Sequence, residues 1–292
     1  MSNPKQDPKF DVDGVPTTGH EWDGIREYDK PLPRWWLYLL FGTIVWAIGY
    51  CIVYPAIPLW QGATPGTSGW SSRGQLAAEM KAVDARRADI LAAIEATPVE
   101  QIPQNEKLMS FAIEGGRSAF KVYCAQCHGS GAQGGKGYPN LNDDDWLWGG
   151  DLATIHQTIQ HGIRFEADEN TRLSMMPAFG RDGLLDAQQL RDVTAYVRVI
   201  SKQDAPSAAS RRGAKVFADN CVSCHGETGQ GDRTQGAPNL TDAIWLYGGD
   251  TESILETVTN SRFGVMPAWG GRLEPVTVKQ LAVYVHSLGG GE

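Results

Sequence analysis

Two pentapeptides constrain this chain more than anything else in it: CAQCH from Cys124 to His128, and CVSCH from Cys221 to His225. Two cysteines spaced C-x-x-C and followed at once by a histidine form an attachment site for c-type haem. The thiols add across the porphyrin vinyl groups and the imidazole reaches the iron. Two copies imply two covalently bound c-type haems. Each copy is followed at a comparable distance by Met-Pro-Ala, at Met176 and Met266. Of the five cysteines only Cys51 lies outside these motifs, in an apolar run where a lone cysteine is a small buried hydrophobe. A four-thiolate zinc site built from the two C-x-x-C pairs is the competing reading. The histidine that directly follows each pair, and the methionine downstream of it, argue against zinc.

The motifs sit inside a longer repetition. Gly116-x-x-x-Phe120-x-x-x-Cys124 matches Gly213-x-x-x-Phe217-x-x-x-Cys221, and PNL at Pro139 recurs at Pro238. WLWGGD from Trp146 returns as WLYGGD from Trp245, MPAFG as MPAWG, and Val193-x-x-Tyr196-Val197 as Leu281-x-x-Tyr284-Val285. Shared order over the length of both units means tandem copies of one domain, expected at 108–203 and 208–289. The copies differ mainly by an acidic insertion before the first methionine, EADENTRLS around Glu166 to Ser174, expected as a surface loop. Each unit reads as mostly helical and resembles class I cytochrome c, in which helices wrap a single haem.

Residues 35–57, WWLYLLFGTIVWAIGYCIVYPAI, carry no formal charge. A helix stopping before Pro55 would cover about 30 Å, the thickness of a bilayer core. Trp35, Trp36 and Tyr38 at one end and Tyr50, Tyr54 and Trp60 at the other form the aromatic belts of a membrane span. Arg26, Lys30 and Arg34 precede it, whereas the first basic residue after it is Arg73. The positive-inside rule then puts residues 1–34 in the cytoplasm and the haem domains in the periplasm. No cleavable leader pattern precedes the span, so it doubles as an uncleaved export signal. Residues 58–107 are expected as a periplasmic linker. Within it a helical stripe of Leu76, Met80, Val83, Ile90, Leu91 and Ile94 packs on a partner or on the first haem domain, or else forms a solvated spacer. The formal charge of −8 argues against nucleic acid as a partner.

His128 and His225 supply one axial iron ligand each, and Met176 and Met266 are the best candidates for the other, since a soft thioether opposite histidine raises the reduction potential. Met175 is a rival that does not align with Met266. Local pairing of each methionine with its own repeat is the default, but the loops could cross to the other haem, and spacing does not decide. Pro139 and Pro238 resemble the loop proline of cytochromes c, whose carbonyl accepts the proximal imidazole N–H. Trp146, Trp148, Trp245 and Tyr247 either cover the haem edge or simply pack. Arg164 and Arg262 either pair with propionates or lie in solvent. Of the remaining histidines, His20, His156, His161 and His286, only His161 is a conceivable competitor for a weak methionine ligand. With both irons saturated, neither has an open position for a substrate, and the chemistry reduces to one-electron transfer.

GHEWDGIREYDKPLPRWW from Gly19 to Trp36, running into a single span that closes on Tyr54-Pro55, resembles the dihaem subunit III (CcoP/FixP family) of cbb3-type cytochrome c oxidases. That resemblance covers nearly the whole chain. It implies a mainly α protein of the bacterial inner membrane, with one transmembrane helix followed by two tandem class I cytochrome c domains. It further implies that the chain takes electrons from a c-type cytochrome or a bc1 complex and passes them to the monohaem subunit. From there they reach the catalytic subunit, where oxygen is reduced and protons are pumped, with no oxygen reduction by this chain alone. A stand-alone anchored carrier resembling cytochrome c4 shares every haem motif but need not carry the GHEWDG tail. A dihaem redox enzyme needs a differently ligated iron, against which the matched methionine loops argue.

Overall fold

The computed structural model describes residues 14–292, so the first thirteen residues of the expected cytoplasmic tail lie outside the described residues. The chain divides into a unit that ends at Ala85 and a second, Arg86–Glu292.

In the first unit, β1 (Thr17–Trp22) and β2 (Ile25–Tyr28) pair antiparallel with Trp22 opposite Ile25. The turn between them is Asp23-Gly24, with φ of 49° and 83°, the left-handed pair that a tight two-residue hairpin demands. Arg26 Nε donates to Glu21 at 2.7 Å across the ladder. Helix α1 (Arg34–Val53) follows, 20 residues with no buried side chain, and so apolar on every face as a membrane span is. It stops at Tyr54 (φ −112°, ψ 159°), because the residue before Pro55 is pushed out of helical geometry. The segment after it is not a bare linker. A minimal hairpin, β3 (Pro58–Leu59) with β4 (Gly62–Ala63), turns the chain back. Thr67 N and Ser68 N then donate to the carbonyls of Ile52 and Val53, both at 3.0 Å, which satisfies acceptors orphaned at the helix end.

Helix α2 (Ser72–Ala96) leads into the second unit. Of its expected apolar stripe, Ile94 is fully buried and Ile90 packs beside it, while Leu76 and Met80 are exposed. The helix is thus a spacer at its start and a packing element at its end. A 3-10 turn, Val99–Gln104, and α3 (Glu106–Tyr123) come next, with Asn105 capping α3 through Lys107 N and Leu108 N. The rest is α4 (Ala125–His128), α5 (Leu152–His161), α6 (Ala187–Ile200), α7 (Ala208–Asn220), α8 (Val222–His225), α9 (Thr251–Asn260) and α10 (Pro275–His286). The repeated GGD has a local purpose: Asp151 and Asp250 are the N-caps of α5 and α9, accepting from Thr154 N and Ser253 N at 2.9 Å, each such cap being worth about 1 kcal/mol.

Packing does not follow the repeats. α10 lies against α3 and α5, whereas α6 lies against α7 and α9. Gly116 abuts the Gln280 carbonyl and Tyr284, and Phe120 meets the Tyr284 ring at 5.4 Å. Gly213 abuts the Asp192 carbonyl and Tyr196, and Phe217 meets the Tyr196 ring at 5.2 Å. The first repeat thus lends its last helix, α6, to α7 of the second, and the second lends its last helix, α10, to α3 of the first. The cause is the connection. α6 ends at Ile200 and α7 begins at Ala208, and a link that short makes consecutive helices pack side by side.

Candidate haem centres

Each C-x-x-C-H forms one helical turn at the end of a long helix. Cys124 ends α3 and caps α4; Cys221 does the same for α7 and α8. Gly129 and Gly226 then terminate the turns at φ of 80° and 75°, where a side chain would be strained. The chain folds back, Gly134 N donating to His128 O and Gly231 N to His225 O, both at 2.8 Å.

That fold-back places a proline carbonyl against each imidazole: His128 Nδ1 donates to Pro139 O and His225 Nδ1 to Pro238 O, both at 3.1 Å. A carbonyl only accepts, so Nδ1 carries the proton and Nε2 keeps its lone pair for a metal. Burial lowers both histidine pKa values, which favours this neutral, ligating form. Burial, reinforced by the neighbouring Cys127 and Cys224, pushes the Cys124 and Cys221 thiols up to about 11.

The methionines arrive from the opposite repeat. Met266 packs in the core that holds Cys124, Ala125, Leu141 and Trp146. Its backbone pairs with Ile163, N to O at 3.0 Å and O from N at 2.9 Å, and Trp269 N donates to Ile159 O at 3.0 Å. Met176 packs with Phe179, Leu185 and Leu190, on the wall of a cavity of about 420 Å³ that Cys221, Cys224, His225, Phe217 and Trp245 also line. Its loop is hung on α9: Phe179 N donates to Val258 O and Gly180 N to Thr259 O, both at 3.1 Å, and Ser261 Oγ donates to Met176 O. Met175 is exposed. Each site thus assembles two thiols, an imidazole with a free Nε2 and a thioether around apolar walls, which is the donor set a c-type haem needs.

Other expected residues are placed as follows. Trp148 lies on Gly236 and Tyr247 on Gly137, so each of these aromatics covers the proline loop of the other repeat. Trp146 Nε1 donates to Gly290 O, and Trp245 lines the cavity. His161 Nδ1 meets Asp168 at 3.1 Å and is committed to that pair. Asp168 belongs to the acidic insertion, which is hooked down rather than free: Arg164 N donates to Arg172 O at 2.8 Å and the Arg172 guanidinium donates to Thr158 and Gln157 at 2.7 and 2.8 Å. Arg262 donates to Thr257 Oγ1 and Ser253 O. Arg164 donates to Ser174 O and Gly264 O. No sequence signal marks these arginine contacts, since their acceptors are mostly backbone carbonyls.

Known proteins share this layout. The N-terminal domain of cytochrome oxidase-cbb3, FixP, matches residues 14–61, and cytochrome c oxidase, cbb3-type, subunit III, matches 111–197 and 208–285. The cbb3-type cytochrome c oxidase subunit CcoP of Cereibacter sphaeroides is 54% identical over 277 residues, covering 95% of this chain and 96% of the relative. The FixP subunits of Sinorhizobium medicae and Bradyrhizobium diazoefficiens are 52% and 50% identical, each covering 97% of this chain and 97% and 98% of the relatives. With the anchor, the tail hairpin and both haem centres all inside the matched length, the chain belongs to the subunit III family of cbb3-type cytochrome c oxidases.

Proposed function

We propose that this chain is the anchored dihaem relay of a cbb3-type oxidase, taking electrons from a c-type cytochrome or a bc1 complex and delivering them to a monohaem subunit and on to the oxygen-reducing one. Each haem, when bound, supplies a one-electron iron couple. The residues around it hold that couple and close it to other chemistry. Cys124 and Cys127 attach the first haem and Cys221 and Cys224 the second. His128 and Met266 would hold the iron of the first haem, and His225 and Met176 that of the second, so the ligand sets would be crossed between the repeats. The observation that carries this reading is the exchange of methionine loops: Met266 packs in the core that holds Cys124, and Met176 lines the cavity that Cys221, Cys224 and His225 also line. An iron held by an imidazole and a thioether would have no position left for peroxide or another substrate, which favours a relay over a dihaem enzyme.

The tail is cytoplasmic and the haem domains periplasmic, as Arg26, Lys30 and Arg34 before the span and the lack of basic residues until Arg73 support. The span holds the chain in the inner membrane. A tag on the full chain should bring down a monohaem subunit and the oxygen-reducing subunit from detergent-solubilised membranes. Membranes lacking the chain should lose oxygen consumption driven by a reduced c-type donor. Undiminished consumption in its absence would overturn the relay.

A further inference from the structure

We propose that Arg164 is the shared support of both axial methionines, a positioning residue through which the two haem centres are mechanically coupled. The proposal rests on the reading of Met176 and Met266 as axial ligands. Arg164 Nε donates to Ser174 O at 3.0 Å, and its Nη1 donates to Gly264 O at 3.0 Å. Ser174 lies just upstream of Met176, and Gly264 just upstream of Met266. One planar fork therefore holds two loops that deliver their thioethers to different pockets.

The fork is itself held. Arg164 takes a left-handed φ of 55°, unusual away from glycine. The guanidinium stacks 5.8 Å from the centre of the Trp148 ring and 5.7 Å from that of Phe263, and it lines the cavity beside the second centre. Trp148 sits in turn on Gly236, in the loop that carries Pro238. Burial lowers the Arg164 pKa, but a guanidinium remains a cation throughout the working range. Both carbonyls thus receive charge-assisted hydrogen bonds whose relative geometry cannot be adjusted independently.

Arg262 shows that the role does not come from the repeat. Although it occupies the matching place, its donors go to Ser253 O at 2.6 Å and to Thr257 Oγ1 at 2.9 Å, both on α9, and its guanidinium stacks 4.9 Å from the centre of the Tyr247 ring. It braces one repeat internally; Arg164 ties two loops together.

A thioether bond to iron is weak and easily displaced, so it reports small movements of its loop. Arg164→Gln and Arg164→Lys, made in the full-length haem-loaded chain, should leave haem content unchanged. The long-wavelength methionine-to-iron absorption of ferric protein should weaken at both haems. In Arg164→Gln the ratio of methionine-bound to methionine-free iron should fall about tenfold at each centre, the size of one charge-assisted hydrogen bond. Both midpoint potentials should drop. Arg164→Lys keeps the charge without the fork and should rescue only in part. Arg262→Gln should disturb the second haem alone. A change at one haem only, at neither, or full rescue by lysine would overturn the proposal. Loss of one absorption each in Met176→Leu and Met266→Leu, alongside unchanged Arg164 variants, would leave the ligand reading standing. Persistence of both absorptions in the methionine variants would remove the reading itself.

Discussion

The two candidate haem centres bring together the same residue types in the same local geometry, yet they are enclosed differently. Around Cys124 and His128 the core extends beyond the repeat. Ile94, Val99 and Ile102, from the end of α2 and the 3-10 turn, are buried against α3, α5 and α10. Lys279 Nζ pins that flank by donating to Glu95 O at 2.6 Å and Thr97 O at 2.7 Å. Around Cys221 and His225 the described residues offer no such flank. The buried apolar groups are Val193, Val197, Phe217 and Ile254, with Phe179, Leu185 and Leu190 as a separate patch. The cavity there is walled partly by Tyr138, Pro139 and Asp145 of the first repeat. The local geometry of the cysteines, the histidine and its proline acceptor is thus specified within each repeat, while the strength of the enclosure depends on what else the chain has nearby.

The largest effect expected is a clean exchange of phenotypes between the centres. Met266→Leu should strip the methionine signature from the haem on Cys124 and Cys127, and Met176→Leu from the haem on Cys221 and Cys224. The affected potential should move by a sizeable part of the roughly 0.8 V over which axial ligands tune haem iron. Redox titration of each variant, with a Cys124/Cys127→Ala chain to identify which haem is which, checks it. Each methionine affecting the haem of its own repeat would mean that the helices do not exchange in the assembled protein.

The second effect concerns the crossings that make the exchange. A Cβ on Gly116 would run into the Gln280 carbonyl, and one on Gly213 into that of Asp192. Gly116→Ala and Gly213→Ala should each cost about 1–3 kcal/mol, the usual range for overpacking, and lower the melting of the affected centre by about 4–8 °C per kcal/mol. Because the first centre has the extra flank, Gly213→Ala should release Met176 at a lower temperature than Gly116→Ala releases Met266. Following the ferric methionine absorption on warming, each in a background lacking the other methionine, separates the two. Equal losses would mean that the flank contributes nothing to holding the first centre.

Much of this was legible in the residues, for identifiable reasons. The haem motifs, the proline acceptors and the anchor are local chemistry, and local chemistry survives in a linear reading. In the tail, Asp23-Gly24 between Trp22 and Ile25 is the local signal of the hairpin, though residues 1–34 read in the sequence only as a charged cytoplasmic tail. The exchange of α6 and α10 was not decided by spacing, because both repeats keep the Gly, Phe and Tyr of the crossing, and these satisfy either pairing. The short link from Ile200 to Ala208 favours one answer, and so does the Asp192–Arg212 pair, at whose matching places the other crossing has Gln280 and Gly115. Arg164 stood out in the sequence as a propionate partner or a solvated residue, but its acceptors did not, because they are the carbonyls of Ser174 and Gly264, and every residue has a carbonyl.

The smallest effect expected is confined to acid, and it separates the two crossings by charge. Asp192, which is buried, accepts from Arg212 Nε at 2.7 Å and Arg212 Nη2 at 2.6 Å, and from Gln188 Nε2 at 2.9 Å. The Arg212 hydrogen bond holds its carboxyl below the usual carboxylate range, with help from Gln188 and the Arg191 charge. The matching places in the other crossing are Gly115 and Gln280, packed on each other and neutral. A depressed carboxyl contributes stability that is complete above its unfolded value, near pH 4, and that fades as the pH falls through the folded value. The second centre should therefore loosen first below about pH 4, and Asp192→Asn should abolish the difference. Asp145, beside the same cavity, has the opposite sign. Burial, then Asp242 and Asp143, push it up to about 6, so falling pH first relieves its charge and favours the second centre before the Asp192 pair is lost. The Met176 absorption should thus hold or rise slightly from pH 7 to 5 and then fall before that of Met266. Simultaneous loss of both would show that the Asp192–Arg212 pair does not hold the α6–α7 crossing.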